Sequence, residues 1–506
     1  MKKLMNNILT APVYDVAEKT PLDEFSLLSA RYHNRIFAKR EDLQPVFSFK
    51  CRGAYNKLIR LSEANAVPNG VIAASAGNHA QGLALSANKL KIPATIVMPN
   101  ITPEIKINAV KRFGREWVNI VIHGNDFDEA ANHAKQLQSE QGLVFVHPFD
   151  DEDVIAGQGT IGKEIIEDLR HIDAVFIPVG GGGLLAGVGA YIKAVKPEIK
   201  IIGVEHQESA SMSASLAQGK QIVLKHVGLF ADGVAVKRVG DKTFAIAQAV
   251  VDDMITVTTD QLCATINNIF DEKRTIVEPS GAVALAGIKK WIKEKQVKGL
   301  NLVGILSGAN MNFDRLRHVT ERTAIGAKTE CLLGVTIPER VGAFKQLCEC
   351  INHRNITEFN YRYSGNAHRP AQIFIGIAIR EGQAEIDEIV NNLKNNNYPV
   401  KDFSDDDTAK LHMRYMVGGH NTDKPELLYR FEFPERPGAL LNFLNHIGTH
   451  NITLFHYRNH GSDYGRVLIG IEKPNNIRRL EKILDNIGYY YVDETQNDAY
   501  QMFLGS

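Results

Sequence analysis

The chain has 506 residues, of which 44% are hydrophobic and 23% are charged. This length exceeds the size at which one hydrophobic core usually divides, so we expect at least two domains. The 58 basic residues balance the 58 acidic ones, which argues against nucleic acid and membranes as partners. No stretch of about 20 apolar residues predicts a membrane span. The five cysteines are odd in number and lack paired spacing, which indicates a reduced, cytoplasmic protein and predicts no metal site.

Between residue 71 and about residue 310, short apolar runs alternate with longer segments of helical spacing. Six runs rich in β-branched residues predict buried strands: VIAAS (71–75), ATIVMP (94–99), LVFVH (143–147), AVFIPV (174–179), KIIGVE (200–205) and LVGILS (302–307). Strand–helix alternation is typical of parallel sheets in an α/β fold. Ligands of such sheets lie beyond the carboxyl ends of the strands, so the loops there are candidate sites.

The region after about residue 330 contains two similar halves. The segments IPERVGAFKQLCECI and NITEFNYRYS in the first half match FPERPGALLNFLNHI and NITLFHYRNH in the second. The spacing from Pro338 to Pro434 and from Asn355 to Asn451 is the same, 96 residues. This period is too long for a solenoid and predicts a duplicated small α+β domain with clefts for a small ligand. A structural oligomerisation module is the alternative.

Lys50 lies in the segment SFKCRGAY, next to Phe49 and after an apolar stretch. Most lysines are solvated charges, but this one is expected to be partly buried. Burial disfavours the ammonium form and makes the amine a better nucleophile toward an aldehyde.

Four consecutive glycines, residues 180–183, follow a predicted strand and precede a helix. Their backbone amides can close around an anion at the positive end of that helix. The pattern Gly181-x-Gly183-x-x-Ala186, with Glu205 ending the next strand, also matches a dinucleotide fingerprint. The local pattern therefore leaves an NAD site open. Such a site would leave Lys50 and the SAGNH and SGAN segments without a role.

Taken together, SFK, SAGNHAQG, GGGGL, EPSGA, SGAN and the duplicated tail resemble the fold-type II pyridoxal-phosphate enzymes, and among them the biosynthetic threonine deaminases (threonine ammonia-lyases). The resemblance covers nearly the whole chain and depends on the joint order and spacing of the motifs. It implies a catalytic domain over residues 1–325 with two parallel-sheet subdomains, the small one roughly at 54–152. ACT-like regulatory domains would follow at 330–405 and 426–506.

The resemblance also implies roles for individual residues. Lys50 would carry pyridoxal phosphate covalently and remove the α-proton of the substrate. The other implied cofactor contacts are Phe49 at the ring, Asn78 at the 3-hydroxyl, Ser307 at the pyridine nitrogen, and Gly180, Gly181, Gly182, Gly183 and Leu184 at the phosphate. The implied substrate-carboxylate contacts are Ser75, Ala76, Gly77, Asn78 and His79. Glu278 corresponds to a family position near the site, and its role stays open.

The reaction implied by the resemblance converts L-threonine to 2-oxobutanoate and ammonia, the first step of isoleucine biosynthesis. The tail implies inhibition by isoleucine and activation by valine, and the family suggests a homotetramer. Ala76 replaces a second serine of related racemases, which argues against racemisation. Ser211 stands where those relatives carry an acid, which argues against a divalent metal, while a monovalent cation stays open. The alternatives are another fold-type II serine or threonine dehydratase, a β-replacement enzyme and an NAD-dependent oxidoreductase.

Overall fold

The computed structural model describes residues 2–338, 343–351, 354, 356–361, 370–380, 382–413, 425–434, 439–447, 450, 452–458 and 464–503. The chain divides into two compact units, Met1–Phe313 and Asp314–Ser506. Each unit has its own sheets and its own buried apolar clusters. Among the residues so described, no helix is both long enough and apolar enough to cross a membrane.

The first unit is built on two β-sheets. Its strands, in chain order, are β1 (Leu22–Glu24), β2 (Arg35–Lys39), β3 (Val71–Ala74), β4 (Ala94–Met98), β5 (Val118–Ile122), β6 (Val144–Phe145), β7 (Ala174–Pro178), β8 (Lys200–His206), β9 (Asp253–Val257) and β10 (Asn301–Ile305). Six strands form one sheet in the order β1-β2-β10-β7-β8-β9, and four form a smaller sheet in the order β5-β4-β3-β6. All neighbours run parallel except β1, which is antiparallel to β2.

Helices pack against both sheets of this unit. They are α1 (Lys2–Leu9), α2 (Ser26–Tyr32), α3 (Lys50–Glu63), α4 (Asn78–Leu90), α5 (Glu104–Gly114), α6 (Phe127–Gln141), α7 (Glu152–Asp168), α8 (Gly183–Val195), α9 (Ser211–Gln218), α10 (Asp241–Val250), α11 (Thr259–Lys273) and α12 (Pro279–Lys295). All six predicted strands are present, and the predicted α/β class with two parallel sheets is confirmed. Five of the six, all except the edge strand β6, are central strands, and central strands covered on both faces require continuous apolar runs.

Four strands were not among the predicted runs. β5 and β9 are edge strands whose side chains are mostly partly exposed, so their sequences are less uniformly apolar. β2 is mostly buried, but it begins at Arg35 and ends at Lys39, so its apolar run is only three residues long. β1 has only three residues and joins the sheet through an antiparallel pairing.

The second unit contains two βαββαβ modules. Its elements are α13 (Arg315–Gly326), β11 (Glu330–Ile337), α14 (Ala343–Cys350), β12 (Ile356–Tyr361), β13 (Ala371–Ala378), α15 (Gln383–Asn395), β14 (Val400–Asp402), α16 (Asp407–Leu411), β15 (Glu426–Pro434), α17 (Ala439–Ile447), β16 (Ile452–Arg458), β17 (Tyr464–Glu472), α18 (Ile477–Ile487), β18 (Tyr490–Asp493) and α19 (Asp498–Phe503).

The two modules repeat the same antiparallel sheet, in the orders β12-β13-β11-β14 and β16-β17-β15-β18. Both sheets shift register at corresponding places, between Ile356 and Glu358 in the first and between Ile452 and Leu454 in the second. The predicted duplication of an α+β domain is therefore confirmed. The segments 339–342 and 435–438, which follow the first strand of each copy, lie outside the described residues.

The two modules of the second unit pack sheet against sheet. Successive residues of a strand point to opposite faces of its sheet. Leu333 and Val335 of β11 lie in the apolar cluster that the first module shares with its own helices. Leu332, between them, belongs to a different cluster that includes Leu428 and Leu468 of the second module. The faces left uncovered by each module's helices therefore bury each other.

A buried ion network holds α3 in the first unit. Arg52 has no exposed surface, and its guanidinium lies 2.8 Å from Glu41 Oε1 and 2.6 Å from Glu164 Oε1. Lys39 Nζ lies 2.7 Å from Glu164 Oε2. Because every member is buried, removing one charge would leave another unpaired in a medium of low dielectric constant.

We expect Arg52→Met to lower the free energy of unfolding of the first unit by about 3–5 kcal/mol, because two buried carboxylates lose the Arg52 charge and Glu164 alone keeps a cation, Lys39. Urea unfolding followed by tryptophan fluorescence measures this, since both tryptophans, Trp117 and Trp291, lie in that unit. The matched control is Arg35→Met, which breaks an exposed pair with Glu24 and should cost no more than about 1 kcal/mol. Equal effects of the two substitutions would contradict the importance of the buried network.

Candidate active site

Lys50 is the first residue of α3, and its side chain is partly buried. Its Nζ donates a hydrogen bond to the carbonyl oxygen of Pro148 at 2.9 Å and lies 5.2 Å from the centre of the Phe49 ring. Burial lowers the pKa of this amine to about 8, and the nearby Glu278 carboxylate opposes that shift. A large fraction of Lys50 is therefore neutral near pH 8 and able to act as a nucleophile or a base.

The four glycines form a loop without side chains between β7 and α8. A Cβ at Gly181 would lie 2.3 Å from the Phe149 ring, and one at Gly180 would lie 2.9 Å from Val234 Cα. Gly182 has φ +95°, and its Cβ would lie 2.7 Å from Met212 Cε. Side chains are thus excluded at these three positions. The loop leads into the N-terminus of α8, a 13-residue helix, where the helix dipole is positive. Such a loop fits a phosphate group.

The segment 75–79 connects β3 to the start of α4. Ser75 Oγ accepts a hydrogen bond from Gly77 N at 3.3 Å, and a Cβ at Gly77 would meet nothing within 4 Å. Open space therefore adjoins this turn at a helix N-terminus, which suits an anionic group. Gly82, one turn further on, packs against the backbone of Lys50, since its Cβ would lie 2.9 Å from Lys50 C.

His79 is buried, and its ring points to the main chain. Its Nε2 lies 3.0 Å from the carbonyl oxygen of Val146, which requires the proton on that nitrogen. Burial, together with the charge of Lys50, lowers the pKa of His79 to about 3. The ring is therefore neutral at physiological pH, and it supplies no positive charge for a carboxylate.

A chain of hydrogen bonds holds the Asn78 side chain. Its Nδ2 donates to Glu278 Oε1 at 2.6 Å, and its Oδ1 accepts from Asn310 Nδ2 at 2.6 Å. Asn310 also donates to the carbonyl oxygen of Val46 at 2.9 Å. These contacts fix which way the amide faces and leave its second N–H hydrogen for another acceptor.

Ser307 follows β10 and lies next to the start of α3. Its carbonyl oxygen accepts from Phe49 N at 3.3 Å, and its buried hydroxyl donates to the carbonyl oxygen of Ser280 at 3.1 Å. The adjacent Gly308 leaves room for the Glu278 carboxylate, because a Cβ added at Gly308 would lie 2.5 Å from Glu278 Oε1. Two segments far apart in the chain therefore meet at Lys50.

The first unit thus combines a partly buried amine, an anion loop, an oriented amide and a buried hydroxyl. Pro148 and Phe149 connect two of these, because one accepts from Lys50 and the other packs on the glycine loop. An amine for an aldehyde, a bare loop for a phosphate and an aromatic ring beside the amine are what pyridoxal phosphate requires. The residues present fit this cofactor.

Comparison with known proteins agrees with this geometry. A family model described as pyridoxal-phosphate dependent enzyme matches residues 13–308. A second, described as the C-terminal regulatory domain of threonine dehydratase, matches residues 321–413 and again 417–504. The chain belongs to the threonine dehydratase family of pyridoxal-phosphate dependent enzymes. Its cofactor is pyridoxal phosphate.

Relatives in this family match over nearly the full length. The L-threonine dehydratase biosynthetic IlvA of Escherichia coli K12 is 50% identical over 499 residues, which cover 98% of this chain and 96% of that protein. The mitochondrial threonine dehydratase of Saccharomyces cerevisiae is 47% identical over 512 residues, covering 98% and 88%. The processed form of threonine deaminase isoform 2 from Solanum lycopersicum superposes with a TM-score of 0.62 at 50% identity, covering 63% of this chain and 92% of that one.

Glu205 is the acid that a dinucleotide site would use, but in this chain its side chain binds residues at the start of α9. Its buried carboxylate accepts from Met212 N and Ser213 N, both at 2.8 Å, and from Ser213 Oγ at 2.6 Å. Burial raises the pKa of this carboxyl group to about 7. The acid therefore caps α9, which removes the structural basis of the NAD alternative.

Two positions gain a structural assignment that sequence reasoning did not make. Glu278, whose role was open, and Asn310, which was not considered by itself, both bind the Asn78 side chain. The motifs EPSGA and SGAN mark both positions in the sequence. Their contact was not predictable, because 200 residues separate Asn78 from Glu278 and 232 separate it from Asn310.

The Lys50 amine of the cofactor-free protein should titrate with a midpoint near pH 8, because burial lowers its pKa to about 8. The pKa of an ordinary lysine is about 10.4. The neutral, reactive fraction rises as the pH increases through the midpoint, so trace acylation followed by peptide mass spectrometry measures it. Glu278→Gln should move the midpoint to lower pH, because the carboxylate raises the Lys50 pKa. A midpoint above pH 10 in the unmodified chain would contradict the burial.

Proposed function

We propose that this chain catalyses the dehydration and deamination of L-threonine to 2-oxobutanoate and ammonia, the first step of isoleucine biosynthesis. The observation that carries the proposal is the partly buried amine of Lys50, which binds Pro148 next to the residue that packs on the bare glycine loop, together with the open space at the segment 75–79. Full-length relatives called biosynthetic L-threonine dehydratases support the choice of substrate.

In this proposal the cofactor is held by residues that the site brings together. The amine of Lys50 would attach its aldehyde carbon. The amides of Gly180, Gly181, Gly182 and Gly183, with Leu184, would hold its phosphate. Phe49 would lie against the ring, the second N–H hydrogen of Asn78 would be available to the phenolic oxygen, and the Ser307 hydroxyl, which here donates to the Ser280 carbonyl, would hold the ring nitrogen. Pyridoxal phosphate, when bound, supplies an electron sink for the negative charge that develops on the α-carbon.

The remaining steps fall to side chains and backbone of this chain. Lys50, once released, accepts the α-proton as a general base, and its lowered pKa suits this task near neutral pH. The backbone amides of the turn containing Ser75, Ala76 and Gly77, at the N-terminus of α4, bind the substrate carboxylate. Asn78 and His79 contribute their amides to the same turn. Ser307 is uncharged, so it would stabilise a proton on the ring nitrogen less than a carboxylate would.

Lys50→Ala should lower 2-oxobutanoate formation from threonine by at least about a thousandfold, because it removes both the attachment point and the general base. The keto acid is measured by a coupled assay, with L-serine run in parallel to test the dehydratase alternative. Borohydride treatment should fix cofactor to the peptide containing Lys50 in the unmodified chain and to no peptide in the variant. Lys89→Ala, an exposed lysine on α4, is the control. Undiminished turnover without Lys50 would refute the proposal.

We further propose that the second unit binds isoleucine as an inhibitor and valine as an activator. Two matches to a regulatory-domain model and two modules that share a buried sheet interface support a regulatory role. Isoleucine must then bind a less active state better than the active one, and threonine must oppose it reciprocally.

We also propose that the protein is a homotetramer in the cytoplasm. Cys51, Cys331 and Cys350 are free thiols, which supports a reducing location.

A chain ending at Phe313, where the first unit ends, should keep threonine turnover and lose its response to isoleucine. Initial rates measured over a range of isoleucine, with and without valine, test this in the full-length and shortened chains. Circular dichroism shows whether the shortened chain is folded. A folded chain of this length that isoleucine inhibits as strongly as the full-length protein would place the effector site in the first unit.

A further inference from the structure

Two ion pairs join the part of the first unit that contains the smaller sheet to the segment 232–237. Lys106 Nζ in α5 lies 2.9 Å from Asp232 Oδ2, and Asp128 Oδ2 in α6 lies 2.9 Å from Lys237 Nζ. The first pair is mostly buried, with side-chain exposures of 17% and 23%, whereas the second is exposed at 50% and 64%. Both span the same two parts of the molecule.

The segment that contains Asp232 lies directly on the candidate site. Val234 packs against Gly180 of the glycine loop, 2.9 Å separating its Cα from the Cβ position of that glycine. Gly233 N donates to Ser280 Oγ at 3.2 Å, and the Cβ position of Gly233 is 3.7 Å from Glu278 Oε1. The two residues that follow Asp232 in the chain, Gly233 and Val234, therefore lie against the glycine loop and near the Glu278 carboxylate.

Lys106 lies where a cation is otherwise unfavourable. It is in the first turn of α5, at the positive end of the helix dipole, where basic residues are destabilising. Its pairing with Asp232 offsets this cost. The small-sheet part also carries the segment 75–79, which follows β3. An attractive contact from α5 to Asp232 therefore draws the segment 75–79 and the glycine loop toward each other.

We propose that Lys106 and Asp232 are positioning residues, which hold the substrate-binding turn at 75–79 against the glycine loop. This inference depends on the proposed function for the identity of the substrate. Neither residue touches the reacting atoms. Without the pair, substrate binding must itself bring the two parts together, so substrate affinity falls while turnover at saturation is retained.

The test compares Lys106→Met with Lys237→Met in the full-length protein loaded with pyridoxal phosphate. We expect Lys106→Met to raise the KM for threonine about fivefold, because a mostly buried pair is worth more than an exposed one, and to change kcat less than about twofold. Lys237→Met should change both constants less than about twofold. Lys106→Arg, which keeps the charge, should restore the original KM.

Hydrogen–deuterium exchange provides a measurement that does not depend on activity. Amides in the segment 231–237 should exchange faster in Lys106→Met than in the unmodified protein or in Lys237→Met. Unchanged exchange and KM in Lys106→Met would overturn the inference. So would equal effects of both lysine substitutions, or failure of Lys106→Arg to restore the KM in a folded protein. If the unmodified protein forms no keto acid from threonine, the proposed function fails, while the exchange comparison still decides the role of the ion pair.

Discussion

Partial burial of Lys50 is the constraint on which the rest of the site depends. Taking an ammonium group out of water is unfavourable, so the amine is easier to deprotonate and its pKa is lowered to about 8. The Pro148 carbonyl accepts from Nζ, Gly82 lets α4 pack against the lysine backbone, and the Arg52 ion network fixes α3 two residues further along.

Parallel strands explain how the remaining groups reach this amine. β7 and β10 are neighbours in the six-stranded sheet, so the glycine loop and the Ser307 loop emerge at the same edge. The turn at 75–79 comes from the smaller sheet, and α12 begins beside Glu278. Glycines permit the closest approaches: Phe149 fills the place of a side chain at Gly181, and the Glu278 carboxylate does so at Gly308. Each contact joins segments that are distant in the chain.

The second unit follows a different physical plan. Each module buries one face of an antiparallel sheet under its own helices, and the other face lies in an apolar cluster that both modules share and to which α13, α16 and α19 contribute. Duplication thus supplies part of the core that covers this second face. A ligand that prefers one arrangement of the two modules would shift the balance between arrangements by its difference in affinity, which is the physical basis of any effector response.

The sequence by itself determined the elements that depend on local pattern. Central strands need continuous apolar runs, the repeat is visible as a constant offset of 96 residues, and four glycines after a strand indicate an anion loop. Edge strands β5 and β9 escaped notice because half-exposed strands carry no such pattern. Only the tertiary structure decided that Asn78 is held by Glu278, and that the Lys106 amine reaches Asp232 across 126 residues. Such contacts depend on how the whole chain folds, and the local spacing of residues in the sequence does not predict them.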